Sequence, residues 1–464
     1  MKKLLIALLV FGVGWDAKGS QADTLTYDNF LEWVKSYHPL TAQADLFLRM
    51  GDMEVRTARG GFDPTIYGNL DKKSYDEKTY YDKREAGISV PTWGGVELTG
   101  VYEQNSGQYL NPENNVPSGG LFAAGASVNL GQGLLLDERR VGLRKAQIYQ
   151  ESTESERAKL LNELYLQATD TYWNWSLAYA NLILQAEGVE LAEARFKAVK
   201  SSYEQGDFPA IDTVEAATQL LNRQYYLQTA ENELYIKTQE LNVFLWDEEG
   251  NPISLDETIV PELINKLEPL GLNEAELRSA IPSHPDLKLA DYELASLDVE
   301  RRFKAQQILP VIKLKYNFLT ENLNEFDHFG FFENNYKWGL SVYTPLLWRK
   351  ARGSTKLAEA KIDFKQNSRD LKAIQLRAKL ENELNSYRIL NSQIRTFTQN
   401  VEALEMLLSG ELRRFEIGES SLFLVNSREV SVFNSKLTLN ELLIKRRVAF
   451  AKTRYAAGFG FDDL

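Results

Sequence analysis

Over much of the second half of the chain, apolar residues recur every three or four positions: Leu380, Leu384, Tyr387, Leu390, Ile394, Phe397, Val401, Leu404, Leu408, Leu412 and Phe415. The same stripe occurs earlier at Ala168, Tyr172, Trp175, Tyr179, Leu182, Ala186, Val189, Ala192, Phe196, Val199 and Tyr203. This spacing lays one face of a helix against another helix, as in a coiled coil. Proline is absent between residues 118 and 208 and again after 345, so the strongest helix breaker is missing from both stretches. A single helix from Leu143 to Tyr203 would be roughly 90 Å long. Elsewhere the period is two. Ile312, Leu314, Tyr316 and Phe318 alternate with Lys313, Lys315 and Asn317, and Trp338, Leu340 and Val342 alternate with Lys337, Gly339 and Ser341. Phe122, Ala124, Ala126, Val128 and Leu130 alternate with Gly125, Ser127 and Asn129 in the same way. These segments predict a half-buried antiparallel sheet, an alternation that a soluble sandwich would share. Two further strand candidates are Arg84–Thr92 and Val96–Glu103, hinged at Gly94-Gly95.

The pattern is duplicated. His38-Pro39 recurs 246 positions later as His284-Pro285, and Pro64 and Ile66 recur at the same offset as Pro310 and Ile312. Gly125, Ser127 and Val128 recur 214 positions later as Gly339, Ser341 and Val342. Gly206 recurs 212 positions later as Gly418, each followed by an acid, Asp207 or Glu419. Collinear matches in three zones define two copies, the first carrying extra residues between Pro64 and Gly125. The expected division is a first repeat at 23–246, with strands about 64–130 and helices about 137–246. An irregular linker with Pro252, Pro261 and Pro269 follows at 247–280. The second repeat is 281–464, with strands about 310–346 and helices about 351–456. The repeat also settles how His38 and His284 are read. Each precedes a proline at the start of a helix, so they mark an opening turn rather than a reaction centre.

Composition narrows the function. The formal net charge is −12, which argues against nucleic acid as a partner. Cysteine is absent, which excludes disulfides, thiolate catalysis and cysteine-ligated metal. The three histidines have no metal-ligand spacing, and no nucleophile–base signature is present. The expectation is therefore no enzyme, no catalytic residue, no metal and no cofactor. A mean hydropathy of −0.36 excludes a helical membrane protein. Met1-Lys2-Lys3, the apolar run Leu4–Val13 and Ser20-Gln21-Ala22 read as a signal peptide over residues 1–22. A few strands per chain cannot close a barrel alone, and an open sheet edge is not tolerated in lipid. If these strands enter a membrane, several chains must share one barrel.

In this order and spacing the chain resembles the outer-membrane efflux protein family, the TolC-like channels. The resemblance rests on the tandem duplication and on the strand exit Pro345-Leu346-Leu347-Trp348. It also rests on the Gly206 and Gly418 turns and on Pro209-Ala210-Ile211-Asp212 after the first turn. It implies a mostly α protein with a β-barrel part, in which duplicated long antiparallel coiled-coil helices adjoin strands that close a shared trimeric barrel. It implies a homotrimer in the outer-membrane lipid of a Gram-negative bacterium, extending into the periplasm. The implied role is a passive exit duct of a tripartite efflux or type I secretion system, docking an inner-membrane pump through a periplasmic adaptor. Gly206, Asp207, Gly418, Glu419 and Ser420 are the implied docking turns. Some members of the family carry acids just past the second turn, where this chain has Leu422 to Ser427. The pore-entrance candidates are therefore Asp207, Asp212 and Glu419, with helix capping as their plainer role. The insertion leaves four or six strands per chain, and aromatics within Phe326–Tyr336 suit either a membrane-interface girdle or an exposed loop. The alternative is a secreted or periplasmic coiled-coil structural or adaptor protein, which accounts for the helices and the leader but not for the paired strands.

Overall fold

The computed structural model describes residues 24–264, 270–322 and 335–460. The leader at 1–22 and most of the aromatic stretch, residues 326–334, lie outside the described residues. In chain order the elements are β1 (Thr24–Leu25), α1 (Tyr27–Tyr37), α2 (Pro39–Gly60), β2 (Thr65–Tyr75), β3 (Lys78–Pro91), β4 (Val96–Ser106) and β5 (Leu121–Asn129). Then come α3 (Glu138–Gln205), α4 (Ala210–Asn242), β6 (Val260–Pro261), α5 (Glu274–Ala280) and α6 (Pro285–Gln306). The chain ends with β7 (Val311–Thr320), β8 (Tyr336–Tyr343), α7 (Arg349–Glu416) and α8 (Leu422–Ala457). Two pairs of equivalent helices match in length: α2 and α6 have 22 residues each, and α3 and α7 have 68 each. Pro64 and Pro310 stand immediately before β2 and β7. The stretch between the copies is not wholly irregular. It holds the short helix α5, whose cap Asn273 accepts from the Glu276 amide at 3.3 Å.

The described residues fall into two compact units. One takes them from Met1–His38, Gln167–Leu270 and Ile389–Val448. Its core is aromatic. Tyr172 and Trp175 of α3 are fully buried, Phe30 of α1 stacks on Tyr172 at 5.4 Å, and Val34 is also fully buried. Both polar ring atoms are satisfied, as burial requires: Tyr172 Oη donates to the Leu25 carbonyl at 2.7 Å and Trp175 Nε1 to Thr238 Oγ1 at 3.1 Å. β1 and β6 form a short parallel bridge beside them.

The other unit takes the described residues from Pro39–Leu166, Gly271–Arg388 and Ala449–Leu464. Its sheet has six antiparallel strands in the order β2-β3-β4-β5-β7-β8, four from the first copy and two from the second. The first-copy insertion thus adds strands to one continuous sheet. A second core in this unit gathers Leu277, Ile281 and Leu287 with Leu376, Leu380, Leu384, Ala456 and Ala457. Every member of the α7 stripe read from the sequence is buried or half-buried. α3 starts where the Asp137 carboxylate accepts from the Arg140 amide at 2.8 Å. α6 starts at His284, whose Nδ1 accepts from the Asp286 amide at 3.1 Å, with Pro285 at the first helical position.

Burial holds the His38 and His284 imidazoles below the ordinary histidine value. At His284, Asp286 opposes the shift and Lys372 and Lys379 add to it. The unfolded chain titrates near 6.5. Below that pH it takes up protons that the folded histidines refuse, so stability falls as pH drops from about 6.5 toward the lowered folded values and then levels off. Thermal melts between about pH 7.5 and 5 should show this decline. His284→Asn, which keeps a capping acceptor, should make it shallower.

Candidate functional site

Over its central rows the sheet separates two kinds of side chain; one row further along, the polar face turns apolar at Tyr67, Val101, Ala123 and Leu319. One row runs across all six strands through Ile66, Ile88, Gly100, Ala124, Phe318 and Tyr336. The next row on that face is Val90, Leu98, Ala126, Tyr316 and Trp338. Between them, on the opposite face, lies the row Thr65, Ser89, Thr99, Gly125, Asn317 and Lys337, followed by Glu97, Ser127 and Lys315. The apolar face is open. Ile66 is 85% exposed and Trp338 60%, and Leu98, Leu340 and Val342 are exposed with them. An apolar surface this continuous marks a contact with lipid or with another chain. Gly125 sits where a Cβ would run into the backbone of β7 at Tyr316 and Asn317, so the β5–β7 approach needs glycine there. Among the described residues, no helix is long and apolar enough to cross a membrane.

The helical unit ends in two matched turns. After α3, the Gly206 amide donates to Tyr203 O at 2.9 Å and the Asp207 amide to Ser202 O at 2.9 Å. After α7, Gly418 donates to Phe415 O at 3.0 Å and Glu419 to Arg414 O at 2.8 Å. Both are Schellman caps, and both glycines take the left-handed conformation that the motif demands, with φ of +89° and +78°. The turns lie side by side. Phe208 stacks on Phe415 at 5.7 Å, above a cluster of Val199, Ala216 and Leu422.

Repeat equivalence exposes a difference between the turns. Val199, Phe208 and Ala216 brace the first; their equivalents 212 positions later are Glu411, Ser420 and Arg428. Glu411 is buried and accepts from Ser420 Oγ at 2.5 Å, with Arg414 and Arg428 each 3.8 Å from its carboxylate. Arg414 also donates to the Glu419 carbonyl at 3.2 Å. Both turns thus share the apolar contact through Phe415 and Leu422, and the second adds a buried charge.

A second charged group lies deeper. Glu429 of α8 is fully buried; it is paired with Arg195 of α3 and lies 4.0 Å from Arg223 of α4. Arg223 is 4% exposed and stacks over the Phe433 ring at 3.9 Å. Burial lowers the Arg223 guanidinium pKa from its usual value, while Glu429 pulls the other way. Asn426 bridges the group, accepting from Arg195 at 3.2 Å and donating to Glu215 at 3.0 Å.

Of the residues singled out in the sequence, Gly206, Asp207, Gly418 and Glu419 are exposed at the turns, and Ser420 and Asp212 are half-buried. The acids do not cap by their side chains. The cap of α4 is Pro209, with no side-chain bond, and α8 is capped by Ser421, whose Oγ accepts from the Leu424 amide at 3.4 Å. Arg195, Arg223, Glu411 and Glu429 are not among the site residues that the sequence points to. The signal for Glu429 was present: it falls three or four positions from Val425, Val432 and Phe433, a core position occupied by an acid. Removing one member of a buried pair leaves the other charge uncompensated, at a cost of about 3–5 kcal/mol. Glu429→Ala should therefore raise hydrogen exchange at the ends of α3, α4 and α8 next to the turns. Exchange in the six-stranded sheet should be unchanged.

No family model matches the chain, and no curated protein matches it in sequence. Solved structures do match its fold. The outer membrane protein VceC of Vibrio cholerae has a TM-score of 0.67 at 14% identity, covering 94% of this chain and 96% of that one. CusC, solved in a study of folding and transmembrane channel formation, has 0.66 at 16%, covering 93% and 92%. The CmeC outer membrane channel of Campylobacter jejuni has 0.64 at 13%, covering 94% and 86%. The likeness runs through nearly the whole chain, and the protein resembling the TolC-like channels in sequence has the fold of solved outer-membrane channels.

Proposed function

We propose that this chain is the passive outer-membrane duct of a tripartite efflux or type I secretion system in a Gram-negative bacterium. The observation that carries this reading is the six-stranded sheet, with an exposed apolar face, a polar opposite face and two unpaired edges. An apolar outer face suits lipid and a polar inner face suits a water-filled lumen. Unpaired edges are not tolerated in lipid, so the sheet needs further copies of the chain to close. The helical unit supports self-assembly independently. Ile211, Val214, Leu221 and Tyr225 form one face of α4 and are all more than half exposed, an apolar stripe awaiting a neighbour. Three copies are expected from the resemblance to TolC-like channels. In that assembly the Gly206–Asp207 and Gly418–Glu419–Ser420 turns face the periplasm and take an adaptor that links the duct to an inner-membrane pump. The duct does no chemistry; it conducts.

Mass measurement of the detergent-solubilised protein should give a trimer, and the trimer should conduct in planar bilayers. A stable monomer, or a trimer that forms no channel, would overturn the reading. The acids at the turns give a finer test. Three copies of Asp212 around one axis would raise the negative potential of the mouth and favour cations. Asp212→Asn should reduce cation selectivity in single-channel recordings, and Asp207→Asn should reduce it less. Unchanged selectivity in the double variant would place both carboxylates outside the conduction path.

A further inference from the structure

The number of strands in the sheet has a consequence for the assembled barrel. The first-copy hairpin of β2 and β3 is not a flap laid against a four-stranded sheet. β3 pairs with β4 without interruption from Asp82↔Ser106 to Pro91↔Glu97, a longer ladder than any that joins β4, β5, β7 and β8. β2 pairs with β3 from Thr65↔Ser89 to Tyr75↔Lys78. Its turn is two residues, Asp76 and Glu77, both with positive φ, the type I′ geometry that follows strand twist.

Both faces continue through the hairpin. Ile66 and Ile88 extend the apolar row, and Thr65 and Ser89 extend the polar one. Ile66 and Leu70 are 85% and 82% exposed at the outer strand, where a hairpin lying in water has no reason to show them. Beyond Leu70 the apolar-face row becomes charged, with Lys72 opposite Asp82 at 3.9 Å, so the hairpin tip reaches past the apolar band.

Resting on the reading of the chain as a trimeric duct, we infer that each copy gives all six strands to the shared barrel, which therefore has eighteen strands, and that the seam between copies is β2 against β8. Both strands are edges within the chain, and their outward backbone groups have no partner in the sheet. Strands alternate in direction and their number is even. β8 of one copy therefore runs antiparallel to β2 of the next, and the seam repeats the pairing found inside each copy. Four strands per chain would close at twelve, and they would require the β3–β4 ladder to break so that β4 became an edge. Barrel diameter grows roughly in proportion to strand number, so eighteen strands give a lumen about half as wide again as twelve.

The absence of cysteine makes the test clean. Single cysteines on the polar face of β2 (Thr65→Cys, Tyr67→Cys, Asn69→Cys) are combined pairwise with Lys337→Cys or Ser341→Cys on β8. Thr99→Cys on β4 is combined with the same β8 positions. Each variant trimer, its mass verified in detergent, is oxidised and run on a denaturing gel. The expected result is a covalent trimer ladder from at least one β2–β8 combination and none from β4–β8. A β4–β8 ladder, or a verified trimer in which no β2–β8 combination links, overturns the eighteen-strand barrel and leaves the duct standing. Failure to find any trimer overturns both.

Discussion

An antiparallel ladder satisfies the backbone on both sides of every strand except two. In this chain the exceptions are β2 and β8, one from near each end of the described sheet sequence. In water such edges are paired by solvent; in lipid each unpaired group costs several kcal/mol. The proposed shared barrel and the demand for identical copies around an axis follow from that requirement. Closure by rotation also explains why both edges must carry the same two-faced alternation. A one-residue slip at the seam would turn a whole strand's apolar set toward the lumen.

The two turns at the end of the helical unit solve one geometric problem with different chemistry. The glycine caps are equivalent in hydrogen bonding and in φ, because the backbone reverses in the same way at both. The side chains beneath them are not equivalent. Val199, Phe208 and Ala216 hold the first turn by exclusion of water, which is non-directional and insensitive to charge. The second shares that contact through Phe415 and Leu422, and Glu411, Ser420 and Arg428 add a buried carboxylate, which depends on geometry and on its counter-charges.

Local rules made much of this legible. The three-or-four stepping of α7 placed its buried face correctly, since packing of a long helix follows its own period. Glycine after each long helix located both turns, because the cap is set within six residues. The strands β5, β7 and β8 were legible from alternation, whereas β2 was legible only as the repeat partner of β7. Its outer half, Asp71-Lys72-Lys73-Ser74, is polar on both faces and lacks the period of a half-buried strand. The matched glycines Gly125 and Gly339 illustrate another limit. The first is required by the backbone of β7, while the second faces open space, a distinction that belongs to strand order and not to sequence. Glu429 was legible as an acid at a core position of α8, but its partners were not. Arg195 and Arg223 lie on two other helices, and among many solvated bases nothing local marks the two that meet this acid.

The position of the insertion is itself constrained. α3 and α7 have equal length, and their ends meet through Phe208 and Phe415. One residue added to either helix would rotate everything beyond it by about 100° and advance it by about 1.5 Å, breaking that contact. A sheet is more tolerant, provided strands come in pairs. A hairpin leaves from one end of a strand and returns the chain to the same end, so β5 still delivers the backbone to the start of α3. An odd number of added strands would deliver it to the far side of the sheet and would also make the two edges run parallel. Extra sequence in the first copy could therefore be accommodated between Pro64 and Gly125 as a hairpin, and an even number of strands per chain is what lets identical copies close antiparallel.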